Sequence, residues 1–517
     1  MYLEEIQEES KSILETYTGS ELVDYINTEL QGVYNKRDFV DMIHTYLNQK
    51  GNRRVVGVAG LRGVGKTTGL LQSIQDIDDY ENTVYIRLKR NAQGVLDFNT
   101  LYNMIVDRFS DKRNIFIDEI TYCADLIGFS DSLYEDLITR GINVVICGTD
   151  SYALELTRGD SLYHRMYLLR VTFISYEETK RTVGINSFNE YLQMGGLYKA
   201  DKIEDIDGLC EYINTSVLDN IMHTLENNES VTALTRLERF RNNKEKLRVV
   251  IYDILCAIVY SLSNKAKAFN ANFMLQLFDK NSTKVSLINH FAESLDIDTT
   301  VVLQRDDIVP VVMALKRIGL IQDIPNLYDT SQLQYYIVNQ TVFNQLTYTM
   351  FSSARSIGAG VKSNSSIANK RGLLFESMII NHTIAYTKEA GYNVYYYHDD
   401  EDKEIDLVVE KENFGDDWED NPCVFCELKL TANKDKAVSR AKWINDKSIN
   451  VEGSVVARYI LYSGETQTFD SYDDEYRKNL TDKQVKLEEQ NKDIQLISVE
   501  DYLSDMKKYL GVLDNYV

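Results

Sequence analysis

The chain has 517 residues, with 56 Lys and Arg against 79 Asp and Glu, giving a formal net charge of −23. Its 44% hydrophobic and 26% charged residues describe a globular sequence too long for one core, so roughly two to four domains are expected. The acidic balance excludes a surface that coats nucleic acid throughout, the lack of any run of about 18 apolar residues predicts no membrane span, and the acidic start "MYLEEIQEES" has no export core, so a cytoplasmic protein is expected.

Residues 1–35 read as a helical segment, with apolar positions at helical spacing through "ELVDYINTEL". The strand "RVVGVAG" then runs into "GLRGVGKTTGLLQSI", where Gly60, Gly65, Lys66 and Thr67 satisfy G-x-x-x-x-G-K-[ST] between a strand and a helix. Glycines here, Gly63 included, let backbone N–H groups turn toward phosphate oxygens, and the helix N-terminus adds partial positive charge. The expected ligand of Gly60 through Thr68 is ATP, with Lys66 reaching the β- and γ-phosphates and Thr67 binding Mg²⁺. The apolar strand "NIFIDEI" ends in Asp118, expected to hold Mg²⁺ through its water shell, and Glu119, expected to polarise the attacking water. The strand "NVVICGTDS" places Thr149 as the preferred γ-phosphate contact, with Asp150 and Ser151 as alternatives. In "SLYHRMYLLRV", Arg165 and Arg170 are candidates for an arginine finger acting on a neighbour's nucleotide, which implies a homo-oligomer.

The expected domains continue as an ATPase core over 36–180, a helical lid over 181–262 and a winged-helix-like domain over 263–350. In the last, "VVMALKRIGLIQDI" and "LQYYIVNQT" read as a helix followed by a β-wing; without a basic recognition helix, a packing lid is favoured over a DNA reader. Residues 351–370, with "SSARSIGAGVKSNSSIANK", read as a linker.

The final domain, 371–517, opens with the helical "RGLLFESMIINHTIAYTKEAG", which carries Glu376. In "KEIDLVVEK", strict alternation puts Ile405, Leu407 and Val409 on one face and Glu404, Asp406 and Val408 on the other. "CVFCELKL" follows, with Glu427 and Lys429 sharing a face. Asp406 and Glu427 on adjacent strands can hold Mg²⁺ against a scissile phosphate, with the Leu428 carbonyl and Glu376 as further ligands and Lys429 orienting or deprotonating water. The alternative is a solvated cross-strand ion-pair network. Cys423 and Cys426 form a C-x-x-C, but strand alternation points them to opposite faces, which disfavours zinc; the six scattered cysteines suit a reducing compartment. Between 429 and 447, Lys429, Lys434, Lys436, Arg440, Lys442 and Lys447 outnumber Asp435 and Asp446, a local basic face for DNA or RNA.

Taken together, "GLRGVGKTT", "NIFIDEI", "VVICGTDS", the "HR" before "YLLRVTFISYEE", "YLQMGG", "ALKRIGLIQDI", "FE", "EID" and "ELK" resemble a family of prokaryotic AAA+-like ATPases that end in a restriction-endonuclease-like domain of the PD-(D/E)xK type. "ARYILYSG" and "IQLISVEDYL" resemble the closing strands of that domain, so the likeness covers about residues 36–510. It implies an α/β multidomain chain: a P-loop ASCE core with Glu119 as catalytic glutamate and Thr149 at the sensor position, then a nuclease fold with Asp406, Glu427 and Lys429 as its signature. Two departures stand out: Tyr198 where a proline usually follows "GG", and Ile405-Asp406 in place of "PD".

The expected function is an ATPase whose nucleotide state controls a Mg²⁺-dependent nuclease, with antiviral defence or mobile-element biology as the analogy. The alternatives are an ATP-dependent switch with a silent recognition domain, and a winged-helix DNA-binding regulator.

Overall fold

The computed structural model describes residues 13–33, 35–49, 51, 53–89, 96–198, 203, 205–228, 234–263, 304–356, 363–412, 421–446, 448–449, 454–468 and 494–516. Apolar runs without alternation suit strands buried on both faces, the condition of a parallel sheet covered by helices. Such runs form β2 (Val55–Ala59), β3 (Thr83–Leu88), β4 (Asn114–Asp118), β5 (Asn143–Gly148) and β6 (Met166–Arg170), parallel to their neighbours in a sheet ordered β1-β3-β4-β5-β2-β6. The edge strand β1 (Leu14–Thr18) is antiparallel to β3. This corrects the helical reading of the N-terminal segment: "LETYT" supplies the aromatic and β-branched residues of a strand, and only α1 (Gly19–Glu29) after it is helical. Residues 1–12 lie outside the described residues.

Helices α2 (Phe39–Leu47), α3 (Lys66–Ile77), α4 (Phe98–Phe109) and α5 (Ser151–Gly159) belong to this α/β unit, and α6 (Tyr176–Val183) and α7 (Phe188–Met194) follow β6. The region expected to form a helical lid contains α8 (Ile206–Ile213), α9 (Asp219–Asn227) and α10 (Lys244–Ser263). Of the winged-helix-like region, residues 264–303 lie outside the described residues. The rest shows α11 (Arg305–Arg317) and an antiparallel hairpin of β7 (Ile321–Pro325) and β8 (Leu333–Ile337). The hairpin turn is docked rather than free: Leu327 N donates to Tyr396 O at 2.7 Å, and buried Asn326 donates through Nδ2 to His398 O at 2.8 Å.

The stretch read as a linker is largely helical. α12 (Gln340–Ser356) runs into it and α13 (Ser363–Ala390) begins within it, leaving 357–362 outside the described residues. Ala, Ser and Lys tolerate a helix when packing of the adjoining apolar turns carries it; Leu374, Phe375 and Met378 of α13 are buried in the main core. The last sheet is ordered β13-β14-β12-β11-β10-β9, from β9 (Asn393–His398), β10 (Glu404–Glu410), β11 (Pro422–Lys429), β12 (Ser454–Tyr462), β13 (Gln467–Thr468) and β14 (Ile494–Ser498). One face joins the core that includes α13; the other packs Ala437 and Val438 of α14 (Lys434–Arg440) against Phe425 and Ile460.

Candidate functional site

Every residue of β2 is buried, and at the strand's carboxyl end the chain leaves the sheet and turns into α3. Gly65 makes the turn at φ 74°, and a Cβ on it would lie 2.3 Å from Arg37 Nη1, so both backbone and space require glycine. Lys66 is buried, with Nζ donating to Gly60 O at 2.7 Å and Leu61 O at 2.9 Å. Its pKa is pushed down by burial, against the opposing pull of Cys147, Glu119 and Asp118. Thr67 Oγ1 donates to Asp118 Oδ2 at 2.8 Å, a hydroxyl and a carboxylate at one point, which fits the hard-oxygen preference of Mg²⁺.

Glu119 follows at φ 58°, a left-handed conformation that costs a non-glycine residue about 1–3 kcal/mol. Its Oε2 accepts from Thr149 N at 3.0 Å and Thr149 Oγ1 at 2.9 Å. Burial first, and the Asp118 charge second, raise its carboxyl above the usual value. Asp150 is committed elsewhere, its Oδ1 capping α5 through Ala153 N at 3.0 Å.

Gly65, Lys66, Thr67, Glu119 and Thr149 border a cleft of about 800 Å³ whose lining also includes Arg62, Gly63, Thr68, Tyr17, Tyr25 and Arg87. Arg165 is not among its lining residues. It precedes β6, and its carbonyl accepts from Val55 N at 3.0 Å, which puts it at the opposite end of β2 from the P-loop. Its guanidinium pairs with Glu135 at 2.9 Å. Arg170 pairs with Glu155. The sequence does not single out Arg37, yet it is buried beneath the loop, donating to Val64 O and pairing with Glu178. Tyr198, the departure after "GG", donates its N–H to Gly63 O at 2.8 Å, a bond that a proline there has no N–H to make.

The second site lies where β10 and β11 meet. β10 bulges: Ile405 faces Tyr397 and Val408 faces Tyr395, three residues advanced against two. Ile405 therefore shares a core with Val408 while Leu407 and Val409 share the other, so the strict alternation expected across 404–409 fails there. Bulges re-aim side chains in this way. Asp406 Oδ2 accepts from Leu428 N at 2.8 Å and Lys429 Nζ at 2.7 Å, and Lys429 Nζ also meets Glu427 Oε2 at 2.5 Å. All three side chains are shielded, not spread on a solvated face, which corrects the surface ion-pair alternative. Burial and then the Asp406 charge push the Glu427 carboxyl well above its usual range. Burial works to lower the Lys429 ammonium, but Asp406 and Glu427 outweigh it and hold its pKa high.

Glu376 on α13 adds its charge to Lys429. Among the described residues, however, no three His, Cys, Asp or Glu side chains are grouped to hold a metal, so Glu376 does not join Asp406 and Glu427 as a third ligand. Lys429 is clamped by the two strand carboxylates, and the helix-borne acid acts on it as a neighbouring charge. Two carboxylates still suit Mg²⁺, which keeps several waters. Cys423 and Cys426 lie in different cores, on opposite faces of β11. Lys436, Arg440 and Lys442 are exposed on or beside α14.

Bonded contacts run from the segment after β6 to α13. Ile174 N donates to Gly196 O at 3.2 Å, close to Tyr198, and Tyr191 OH donates to Ile174 O at 2.7 Å. His382 of α13 is buried against them, its Nε2 accepting from Tyr176 N at 3.0 Å and its Nδ1 2.7 Å from Met378 O. An Nε2 that accepts and an Nδ1 that donates define a neutral imidazole.

The parallel sheet, the P-loop and the acid pair define a P-loop AAA+-like ATPase core, whose chemistry is ATP binding and hydrolysis. Residues 52–180 match the family model described as an AAA domain, and residues 371–478 match a domain of unknown function, DUF4143. Among solved structures, the Aeropyrum pernix ORC2 protein (ADPNP–ADP complexes) is 15% identical over 63% of this chain and 96% of that chain, with a TM-score of 0.33. The S. cerevisiae Hsp104–ADP complex is 14% identical over 72% of this chain and 61% of that one, with a TM-score of 0.28. The Aeropyrum pernix ORC1 protein in complex with DNA is 12% identical over 61% and 92%, with a TM-score of 0.23. No curated protein matches the chain. Among the described residues, no helix is long and apolar enough to cross a membrane.

Proposed function

We propose that ATP binding and hydrolysis in the cleft control phosphodiester cleavage at Asp406, Glu427 and Lys429. In the cleft, the backbone from Gly63 to Thr68 and the Lys66 ammonium bind the phosphates, and Thr67 and Asp118 would hold Mg²⁺. Glu119, oriented by Thr149, accepts the proton of the attacking water. In the C-terminal domain, Asp406 and Glu427 would hold Mg²⁺, which supplies charge neutralisation at a scissile phosphate when bound. Lys429 orients the attacking water, and the exposed Lys436, Arg440 and Lys442 receive the DNA or RNA backbone.

The observation that carries this reading is the convergence of Asp406 and Glu427 on one ammonium, at 2.7 and 2.5 Å, beside a helix bonded into the ATPase through His382. The test incubates the full chain with mixed DNA and RNA, Mg²⁺ or Mn²⁺, with and without ATP, beside Lys66→Ala and Glu427→Ala. ATP-sensitive cleavage that disappears in Glu427→Ala supports the reading. Absence of cleavage in every condition, with ATP hydrolysis intact, favours a second reading: an ATP-dependent switch whose C-terminal domain recognises without cutting. The clamping of both carboxylates by Lys429, with no metal-binding group of three acids among the described residues, favours that alternative. The docked hairpin weighs against a DNA-reading wing.

A further inference from the structure

We propose that Arg87 is the cation that meets the γ-phosphate of ATP from within the same chain, with Tyr25 as its positioning residue. Arg87 lies in β3 directly in register with Asp118 of β4. Side chains in register on parallel neighbours leave the sheet on the same face. The residue two positions earlier confirms that direction: Tyr85 OH donates to Asp118 Oδ2 at 2.9 Å, the same oxygen that receives Thr67. Arg87 thus stands beside the hydroxyl–carboxylate pair, and it lines the cleft together with Lys66 and Glu119.

Of the other cations in the chain's ATPase core, Arg62 lines the cleft from the phosphate loop itself, so it stands on the P-loop side, whereas the remaining candidates are committed. Lys89 pairs with Glu15 at 2.5 Å, and Arg165 and Arg170 pair with Glu135 and Glu155. Arg87 forms no ion pair among the described residues; its Nη1 donates to the neutral Tyr25 hydroxyl at 3.0 Å. Tyr25 is itself fixed, stacked on Tyr17 at 4.1 Å and on Tyr85 at 5.6 Å between ring centroids. The arm formed by β1 and α1 therefore holds a guanidinium at the cleft wall without neutralising it. Charge that spreads over the γ-phosphate oxygens during transfer to water is what such a guanidinium stabilises.

This inference rests on ATP hydrolysis in the cleft and not on the C-terminal cluster. The test measures ATP turnover of the full chain across a wide dilution range, with Arg87→Ala, Arg87→Lys and Tyr25→Phe, and compares binding of ADP with trapping of ADP–aluminium fluoride. The expected result for Arg87→Ala is a kcat lowered on the order of 10³-fold, with KM and ADP affinity little changed and trapping lost. Tyr25→Phe should lower kcat by only about 5-fold, the worth of one hydrogen bond. The wild-type rate per chain should stay constant on dilution. A rate per chain that falls on dilution assigns the cation to a neighbouring copy and overturns the proposal. So does wild-type turnover or trapping in Arg87→Ala. If Arg87→Ala loses ADP binding as well, Arg87→Lys decides: ADP binding restored with turnover still depressed supports the assignment, and turnover fully restored overturns it. A wild-type chain without turnover would overturn the hydrolysis reading too, whereas an active wild type matched by Arg87→Ala overturns this inference alone.

Discussion

Both candidate sites set a lysine near two acids at the ends of sheet strands, but they hold the charges in opposite ways. In the cleft, Lys66 is tied to backbone carbonyls, Asp118 to a threonine and a tyrosine hydroxyl, and Glu119 to Thr149. Neutral partners position each charge and leave it uncancelled, so a ligand can complete the electrostatics. In the C-terminal cluster, Asp406 and Glu427 close on Lys429 and the charges satisfy one another. The first arrangement is built for binding a polyanion with its metal. Under the proposed function, the second would have to loosen its own ion pairs before it cuts, which is where a signal from the ATPase would act.

The sharpest test of the contrast is Glu119→Gln. It should keep ATP binding and lower turnover by about 10²- to 10⁴-fold, as loss of a general base does, measured by steady-state hydrolysis beside equilibrium binding. Comparable turnover would place the base elsewhere. Lys429→Met should show the dependence of the cluster on mutual neutralisation. It strands two buried acids and should cost about 3–5 kcal/mol in denaturant unfolding; a loss below 1 kcal/mol would mean that the acids are already neutral.

His382 gives a smaller effect with a defined pH window. Burial pushes its imidazole down to about 4 from an ordinary 6.5, only partly opposed by the Met378 carbonyl. Between those values the unfolded chain binds a proton that the folded chain refuses, so the stability is complete above pH 6.5 and is lost as pH falls toward 4. The expected loss is about 3 kcal/mol, absent in His382→Asn, read from unfolding midpoints across that range. Equal slopes in the two proteins would sink the neutral-strut account. Asn326→Ala, which unties the hairpin from β9, should cost about 1–3 kcal/mol. It should also weaken any ATP effect on the C-terminal domain while leaving ATP turnover unchanged.

Much of the cleft was legible because its chemistry is local: a phosphate loop must keep its glycines, lysine and threonine at fixed spacing between a strand and a helix. Asp118, Glu119 and Thr149 follow from the rule that ligands gather at the carboxyl ends of parallel strands. Arg87 and Tyr25 were not legible, since they reach the cleft only through the pairing of β1 with β3; nor was Arg37, which packs beneath the phosphate loop from before β2. The edge strand itself hid in five residues flanked by helix-forming acids. In the C-terminal domain, helix, strand and strand came in readable order, but the bulge in β10 did not, because one extra residue in a strand leaves no mark on composition. The helix across 363–370 was missed because its residues are mostly small and polar, and tertiary packing farther along α13 decides their state.

The central claim is that nucleotide in the cleft changes the state of the Asp406–Glu427–Lys429 cluster. Amide hydrogen exchange across β10 and β11 tests it most directly, comparing Glu119→Gln protein bound to ATP with the same protein bound to ADP. The account predicts altered protection at Leu428 N–H, the donor to Asp406, and along α13 around His382. Identical exchange in both states, with nucleotide binding verified, would contradict it.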